Sequence, residues 1–439
     1  MQDFIPYLPL LGALLALVSL AFAFRNGRQR RLLDNLPTSK TSGVFIGFVE
    51  LKGTAESAEP LTSFLAGQAC VQYGWTVEEY WSRMVTTTET DSKGNTRTVT
   101  RQESGWTRVD GGGEIIPFYL QDDCGVLLVR PDGAKIEPLN LFDEICTPLN
   151  PLYYGKGPAG AVPDSGFRRR FLEQGIPLKT NIFVVGQARE RQDIVAPEIA
   201  ADEHAPMFLI STRSEEQVSS GMKWGSRGWA FFGLIAAVGF MVWRDGALNV
   251  DPASRILLYT AIAAAYFFIG GLAWIWMVYN SLVDVRNRVR QAWSLVDIQL
   301  KRRFDLIPNL VDCVKGYRDH ESQLQTELAA LRNQLAATPP GEAGPDHGAV
   351  SNVVVGIAER YPELKANDAF LALQKTLADT EQRIALARSY FNEIATHYNT
   401  RLEIVPERYV ARLGAMKPQP LMEANAFERA AVKVDLTSK

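Results

Sequence analysis

The side chains best able to do chemistry are two histidines with carboxylate neighbours. Glu393 and His397 stand four apart and His320 adjoins Glu321, each pair within a stretch of helical periodicity. Di-metal sites in helical bundles use four carboxylates and two Glu-x-x-His pairs facing inward, and neither pair here has that spacing. Both read as exposed or hydrogen-bonded histidines. The remaining histidines are His204 and His347; the four cysteines, Cys70, Cys124, Cys146 and Cys313, lie far apart and never as C-x-x-C. That pattern suits reduced thiols in a cytoplasmic setting better than a disulfide framework or a zinc site. The sequence contains no G-x-S-x-G, no H-E-x-x-H and no P-loop, so neither a nucleophilic nor a metal-hydrolase mechanism has its parts. No catalytic residue, metal ligand or cofactor is assigned, and the expectation is that the chain is not an enzyme.

Two stretches suggest recognition instead. Thr86 to Thr90 and Thr96 to Thr100 flank Asp91, Ser92, Lys93, Gly94 and Asn95, where Gly and Asn tolerate the positive φ of a hairpin turn. A projecting hairpin offers unpaired edge groups to an incoming strand, although solvated decoration is the plainer reading. Lys301, Arg302 and Arg303 form a basic cluster that either meets anionic lipid or marks topology and pairs with Asp297 and Asp305 at helical spacing. Gln299 and Asn309 are placed to hydrogen-bond between helices, and Trp293 to fill a core. The formal net charge of -3 gives no reason to expect a nucleic-acid partner.

The elements that hold these residues begin with three apolar blocks. Phe4 to Phe24 carries no charge, and about 20 helical residues cover a bilayer core of roughly 30 Å. A signal peptide has its positive charges before the apolar run; here Arg25, Arg28, Arg30 and Arg31 follow it, which predicts an anchor with the N-terminus outside. The second block, Gly228 to Trp243, is short enough for a re-entrant loop to compete. The third, Ile256 to Tyr279, precedes Arg286, Arg288 and Arg290. These charges belong in the cytoplasm only if the second block also crosses, with Arg244 to Arg255 as an external hairpin.

Between the first two blocks, Gly43 to Ser211 reads as short strands split by turns: Val44 to Val49, Ile115 to Leu120, Val126 to Val129 and Asn181 to Val185. Phe167 to Gln174, stopped by Gly175, predicts one short helix. Gly47-Phe48-Val49, Pro60-Leu61-Thr62-Ser63, Cys70-Val71, Glu173 with Gly175, and Phe183-Val184-Val185-Gly186 resemble the GIDE-type domain of membrane ubiquitin ligases. Ligase activity there resides in a zinc-holding RING, whose Cys and His array this chain lacks. The resemblance implies a membrane-proximal binding or sensing module.

After the third block, apolar residues from Leu282 to Tyr317 recur at spacings of three and four, one helical stripe. Pro308 predicts a kink or tight corner near Leu306. The stripe resumes from Leu324 to Leu335, meets a Pro/Gly-rich linker at Thr338 to Gly348, and is followed by a second long helix capped by Asn367 or Asp368. Helices so joined fold back on each other as an antiparallel bundle, completed by Leu402 to Leu413. The blocks Tyr279 to Val283, Ala292-Trp293-Ser294, Gln299 to Arg303, Asp305 to Val311, Val314-Lys315-Gly316-Tyr317, Tyr361 to Asn367 and Glu381 to Ala385 resemble the LemA family. That implies a helical bundle hung from one membrane helix, with no activity attached.

The expectation is a multidomain membrane protein with three transmembrane helices (4–24, 228–243, 256–279). A β-rich α+β GIDE-like domain occupies 40–215 and an all-α antiparallel LemA-like bundle 280–436. Both domains would be cytoplasmic, in a bacterial inner membrane. The function that follows is a self-associating, non-enzymatic scaffold or sensor in contact with membrane lipids and a protein partner. The alternatives are an accessory subunit of a membrane-bound ubiquitin-like or proteolytic system, and a lipid-organising protein.

Overall fold

The computed structural model describes residues 2–90, 96–191, 196–315 and 368–422. It divides into two compact units, Thr38–Val218 and Met1–Pro37 with Ser219–Lys439.

The first of these is the β-rich unit. Its larger sheet contains β1 (Thr38–Ser39), β2 (Gly47–Glu56), β6 (Phe118–Gln121), β7 (Val126–Val129), β8 (Lys135–Glu137), β11 (Asn181–Glu190), β12 (Pro197–Ala200) and β13 (Leu209–Ser211). Because β2 pairs with both β6 and β11, strands β2, β6, β7, β12 and β11 close into a small barrel. Leu51, Phe118, Leu120, Val129, Ile182, Val184 and Ile199 fill it. A side chain at Gly53 would put its Cβ 2.3 Å from the Gln121 carbonyl oxygen, so only glycine lets β2 approach β6 there.

The second sheet contains β3 (Leu61–Thr62), β4 (Ala69–Thr90), β5 (Thr96–Ile115), β9 (Leu139–Cys146) and β10 (Ser165–Pro177). β10 leaves β4 at the Trp81 pair with Ser165, whereas β4 and β5 stay paired as far as Thr90 and Thr96. The Thr-rich arms therefore run on as a two-stranded ribbon, about 30 Å long at roughly 3.3 Å per residue.

Phe167 to Gln174 is strand, not helix, since it lies within β10 between β4 and β9. Its buried face reads Arg169, Phe171, Glu173, a period of two concealed in the sequence because two of the three are charged. Each charge is answered. Arg169 donates to Glu79 from Nε and Nη2 at 3.1 and 3.0 Å. It also donates to the carbonyls of Tyr153, Pro158 and Gly160, which fixes helix α2 (Pro151–Gly155) and the segment after it. Glu173 accepts the backbone N–H groups of Leu65 and Ala66 at 3.0 and 2.7 Å and so holds the β3–β4 turn.

Glu50 on β2 is fully buried, and its Oε2 has no hydrogen-bond partner among the described residues. Burial, then the charge of Glu215, pushes its carboxyl up to about 7, against the Thr38 hydroxyl and Lys52. A carboxyl raised in the folded state binds a proton the unfolded chain releases. Its stabilisation is complete below the ordinary carboxylate range and is lost as pH rises through 7. The thermal midpoint of this unit should therefore fall between pH 5 and 8, and Glu50→Gln should flatten that slope and gain about 2–3 kcal/mol at the alkaline end.

The other unit is helical: α1 (Leu8–Asp34), α3 (Glu215–Ala247, whose first turn lies in the β-rich unit), α4 (Pro252–Lys315), α5 (Asp368–Glu403) and α6 (Glu407–Leu413). Among the described residues, three helical stretches, Ile5–Asp34, Glu215–Ala247 and Pro252–Arg302, are long and apolar enough to cross a membrane. α3 is unbroken through 228–243, with no re-entrant turn. The three stretches meet through small residues. A Cβ at Gly12 would lie 2.7 Å from that of Phe240. One at Gly233 would lie 2.5 Å from the Tyr266 hydroxyl, which donates to the Ala230 carbonyl at 2.7 Å. Close backbone approach of this kind holds apolar helices together where no hydrophobic force can. Gly233→Leu should lower the resistance of the full chain to unfolding in detergent by roughly 1–3 kcal/mol.

Helix α4 continues through Pro308 to Lys315, so the tight corner expected near Leu306 does not form. One missing hydrogen bond does not end a helix whose adjacent turns are intact. α4 and α5 pack antiparallel: Trp293 lies 5.4 Å from Phe391, while Ser281, twelve residues earlier on α4, reaches Arg401, ten later on α5. Val285, Val289, Ala292 and Val296 face Phe391, Ile394, Ala395 and Tyr398. The stripe Leu324 to Leu335, the linker to Gly348, and His320, Glu321 and Tyr317 fall outside the described residues.

Candidate functional site

Within the helical unit, one polar junction gathers the ends of several helices. Asn35 closes α1, its backbone N–H reaching the Arg31 carbonyl at 3.1 Å. Its buried side chain donates to Ser281 Oγ of α4 at 3.0 Å and accepts from Arg401 Nη1 of α5 at 2.6 Å. Arg401 Nη1 also donates to Ser281 Oγ at 2.9 Å, and its Nε to Glu407 of α6 at 2.7 Å. The second oxygen of Glu407 accepts from Arg31 Nη1 at 2.6 Å. Beside this, Ser219 of α3 donates to Asp34 at 2.7 Å and accepts from Arg30 Nε at 3.2 Å. Five polar side chains (Asp34, Asn35, Ser219, Ser281 and Glu407) and three arginines thus tie α1, α3, α4, α5 and α6 together.

The electrostatics follow the geometry. Burial works against the Glu407 charge, but the hydrogen bond and charge of Arg401, then of Arg31, hold its carboxyl below the usual range. His397, whose Nε2 lies 3.4 Å from Asn35 Oδ1, is held below the ordinary histidine range by burial and then by Arg401. It is therefore neutral at pH 7, and of the two states expected of it, exposed or hydrogen-bonded, it takes the second. Arg401 is 7% exposed, yet its Nη2 has no partner among the described residues. A cleft of about 390 Å³ opens here, lined by Arg30, Arg31, Lys223, Arg227 and Arg401, by Asp34 and Glu407, and on its apolar side by Trp274, Met277 and Ile404. The arrangement can clamp helices and attract an anion; it pairs no nucleophile with a base.

Of the residues singled out in the sequence, Arg30 and Arg31 enter this junction, while Arg25 and Arg28 are exposed. Arg288 pairs with Asp284 one turn earlier, and Arg286 Nε is buried without a partner among the described residues. Trp293 packs in the α4–α5 core. Lys301, Arg302 and Asp305 are exposed, and Gln299 Oε1 is buried and unpaired among the described residues. Arg303, Pro308, Asn309 and Lys315 are described only as helical backbone, and the turn Asp91 to Asn95 lies outside the described residues. The hairpin arms are described, with Thr86 and Thr100 hydroxyls 3.3 Å apart. Asn35, Ser281, Arg401 and Glu407 were not anticipated. Only Ser281 had a signal, inside the block Tyr279 to Val283.

Among the described residues, one cluster of metal-ligand type, Asp122, Asp123 and Cys124, occurs in the β-rich unit. Asp122 is already occupied, taking Thr41 through its N–H and hydroxyl and the backbone N–H groups of Cys124 and Gly125. Asp123 pairs with Lys40 at 2.6 Å. It is a turn clamp.

Residues 292–436 match the model of the LemA family. The chain carries a LemA-family domain. Residues 86–243 match a second model, GIDE, described as E3 Ubiquitin ligase; this covers Glu173, Gly175 and Phe183 to Gly186 but not the blocks before Thr86. Among similar proteins, Protein LemA of Metamycoplasma hominis is 24% identical over 193 residues, 41% of this chain and 88% of that protein. Magnetosome protein MamQ of Magnetospirillum gryphiswaldense is 22% identical over 195 residues, 37% of this chain and 70% of its own length. Magnetosome protein MamQ 1 of Paramagnetospirillum magneticum is 19% identical over 202 residues, 39% and 72%. No solved structure matches. The junction straddles the start of the LemA match: Arg401 and Glu407 lie inside it, and Arg31, Asn35, Ser219 and Ser281 before it.

Proposed function

We propose that this chain is a membrane-anchored, non-enzymatic scaffold or sensor that presents a GIDE-type β-rich domain and a LemA-type helical bundle. The observation that carries the reading is the junction. A chain of hydrogen bonds from Arg31 through Glu407 and Arg401 to Asn35 and Ser281 ties the LemA part to the end of the first apolar helix, so a force on either is felt by the other. The three apolar helices and the LemA match support membrane anchorage. The absence of any C-x-x-C pair speaks against a zinc-dependent RING in this chain. The N-terminus is outside, both domains are cytoplasmic, and the protein self-associates in an inner membrane. Cysteines placed at Asn249 and at Asn95 test the orientation: an impermeant reagent on intact cells should label the first alone, and labelling of the second would reverse it.

The GIDE match, described as a ubiquitin ligase, favours a second reading, an accessory subunit that borrows an active site. Mass spectrometry of what co-purifies with the tagged full chain from native membranes separates the two. Self-association with lipid alone supports the scaffold; a stoichiometric enzyme makes the chain its accessory.

A further inference from the structure

We propose that the cleft at the helix junction is a binding site for the phosphate of an anionic phospholipid headgroup. The inference goes beyond the scaffold reading and rests on the three apolar helices crossing a bilayer.

Five cationic side chains face two carboxylates in this cleft, a surplus of three positive charges. The internal pairs use Arg30 with Asp34, and Arg31 and Arg401 with Glu407. Lys223 and Arg227 have no carboxylate partner among the described residues; Arg227 lies 5.8 Å from the Trp224 ring. Arg401 supplies an independent sign of a missing ligand. The side chain is more than nine-tenths buried, lines the cleft, and leaves Nη2 without a hydrogen bond among the described residues. A buried guanidinium N–H left unpaired is costly, and a phosphate oxygen is the acceptor its geometry suits best.

Position selects a lipid over a free anion. The lining residues fall at the same end of all three apolar helices: Gly27 to Asn35 just past the apolar run of α1, Lys223 to Arg227 just before that of α3, and Trp274 and Met277 in the last turns of that of α4. A phosphate held at that level sits at headgroup depth, with apolar side chains on one wall for the chain-bearing part of the molecule. Cations beside a membrane surface attract anionic lipid by the same logic, but a cleft with a fixed guanidinium adds a site to the field.

The test uses the full chain in nanodiscs containing phosphatidylglycerol and phosphatidylcholine, with bound lipid read by native mass spectrometry. Lys223→Gln/Arg227→Gln, which breaks no internal pair, should lose roughly tenfold to thirtyfold in phosphatidylglycerol preference. Arg25→Gln/Arg28→Gln removes the same charge from exposed positions on α1 and should change it far less. Equal losses in the two variants would mean a diffuse basic surface and overturn the site, as would no loss in either. Displacement of the lipid by millimolar inorganic phosphate would overturn its assignment to a headgroup. A chain that fails to enter nanodiscs at all would instead overturn the membrane reading on which the proposal stands.

Discussion

Replacing Arg169 by methionine is expected to destabilise the β-rich unit by about 3–5 kcal/mol, the loss typical when one member of a buried pair is removed. Both Arg169 and Glu79 are fully buried. The substitution strands the Glu79 carboxylate, which would keep only the hydroxyls of Ser165 and Tyr153, and frees the carbonyls of Tyr153, Pro158 and Gly160. Cys146, packed with Tyr153 and Phe171 in the same cluster, reports the effect. In a chain whose other cysteines are changed to serine or alanine, its labelling should accelerate by two to three orders of magnitude at about 1.4 kcal/mol per tenfold. Pairing Arg169→Met with Glu79→Leu should recover much of the loss, because a hydrophobic pair leaves no buried charge behind. If the double variant labels as fast as the single one, the carbonyl contacts rather than the ion pair hold this face.

That pair also shows what kind of structure escaped the sequence. Strands whose buried faces are apolar were legible: Val126 to Val129 and Asn181 to Val185 appear as β7 and within β11. β10 was not, because it buries Arg169 and Glu173, and a run of charges with an even spread of apolar residues fits a helical face as readily as a strand. The α4 stripe was legible for the same reason that β10 was not: its buried residues are all apolar at spacings of three and four. The junction could not be read at all. Its members are 366 positions apart in the case of Asn35 and Arg401, and each alone is an ordinary polar residue at the end of a helix. Arg31 even carried a competing explanation, since positive charge after an apolar helix is what topology demands. Local periodicity reports which face of an element is buried. It is silent on which polar ends will meet.

Glu407→Gln is expected to open the junction at a cost of roughly 2–4 kcal/mol, somewhat below the fully buried case because the carboxylate is 14% exposed. Arg31 and Arg401 each lose their carboxylate partner at once, and two guanidiniums that had shared one anion now repel. Arg401→Lys should cost less, since it keeps the charge but cannot serve Asn35, Ser281 and Glu407 from one planar group. Hydrogen exchange in α6 and the last turns of α5 should accelerate in both variants, with exchange in the barrel strands unchanged. Acidification should reproduce the effect in the parent chain. Glu407 is held below the ordinary carboxylate range, so its contribution is present above that range and is lost only as pH falls through the folded value. The lipid content of the nanodisc then distinguishes a closed clamp from an anion site. An anion bound beside Arg31 and Arg401 replaces part of the charge that Glu407 supplied, and a ligand that binds the folded junction stabilises it by mass action. The loss caused by Glu407→Gln should accordingly be smaller in phosphatidylglycerol than in phosphatidylcholine. Equal losses in the two lipids would mean that no headgroup reaches these arginines, and that the junction holds its helices by internal pairing alone.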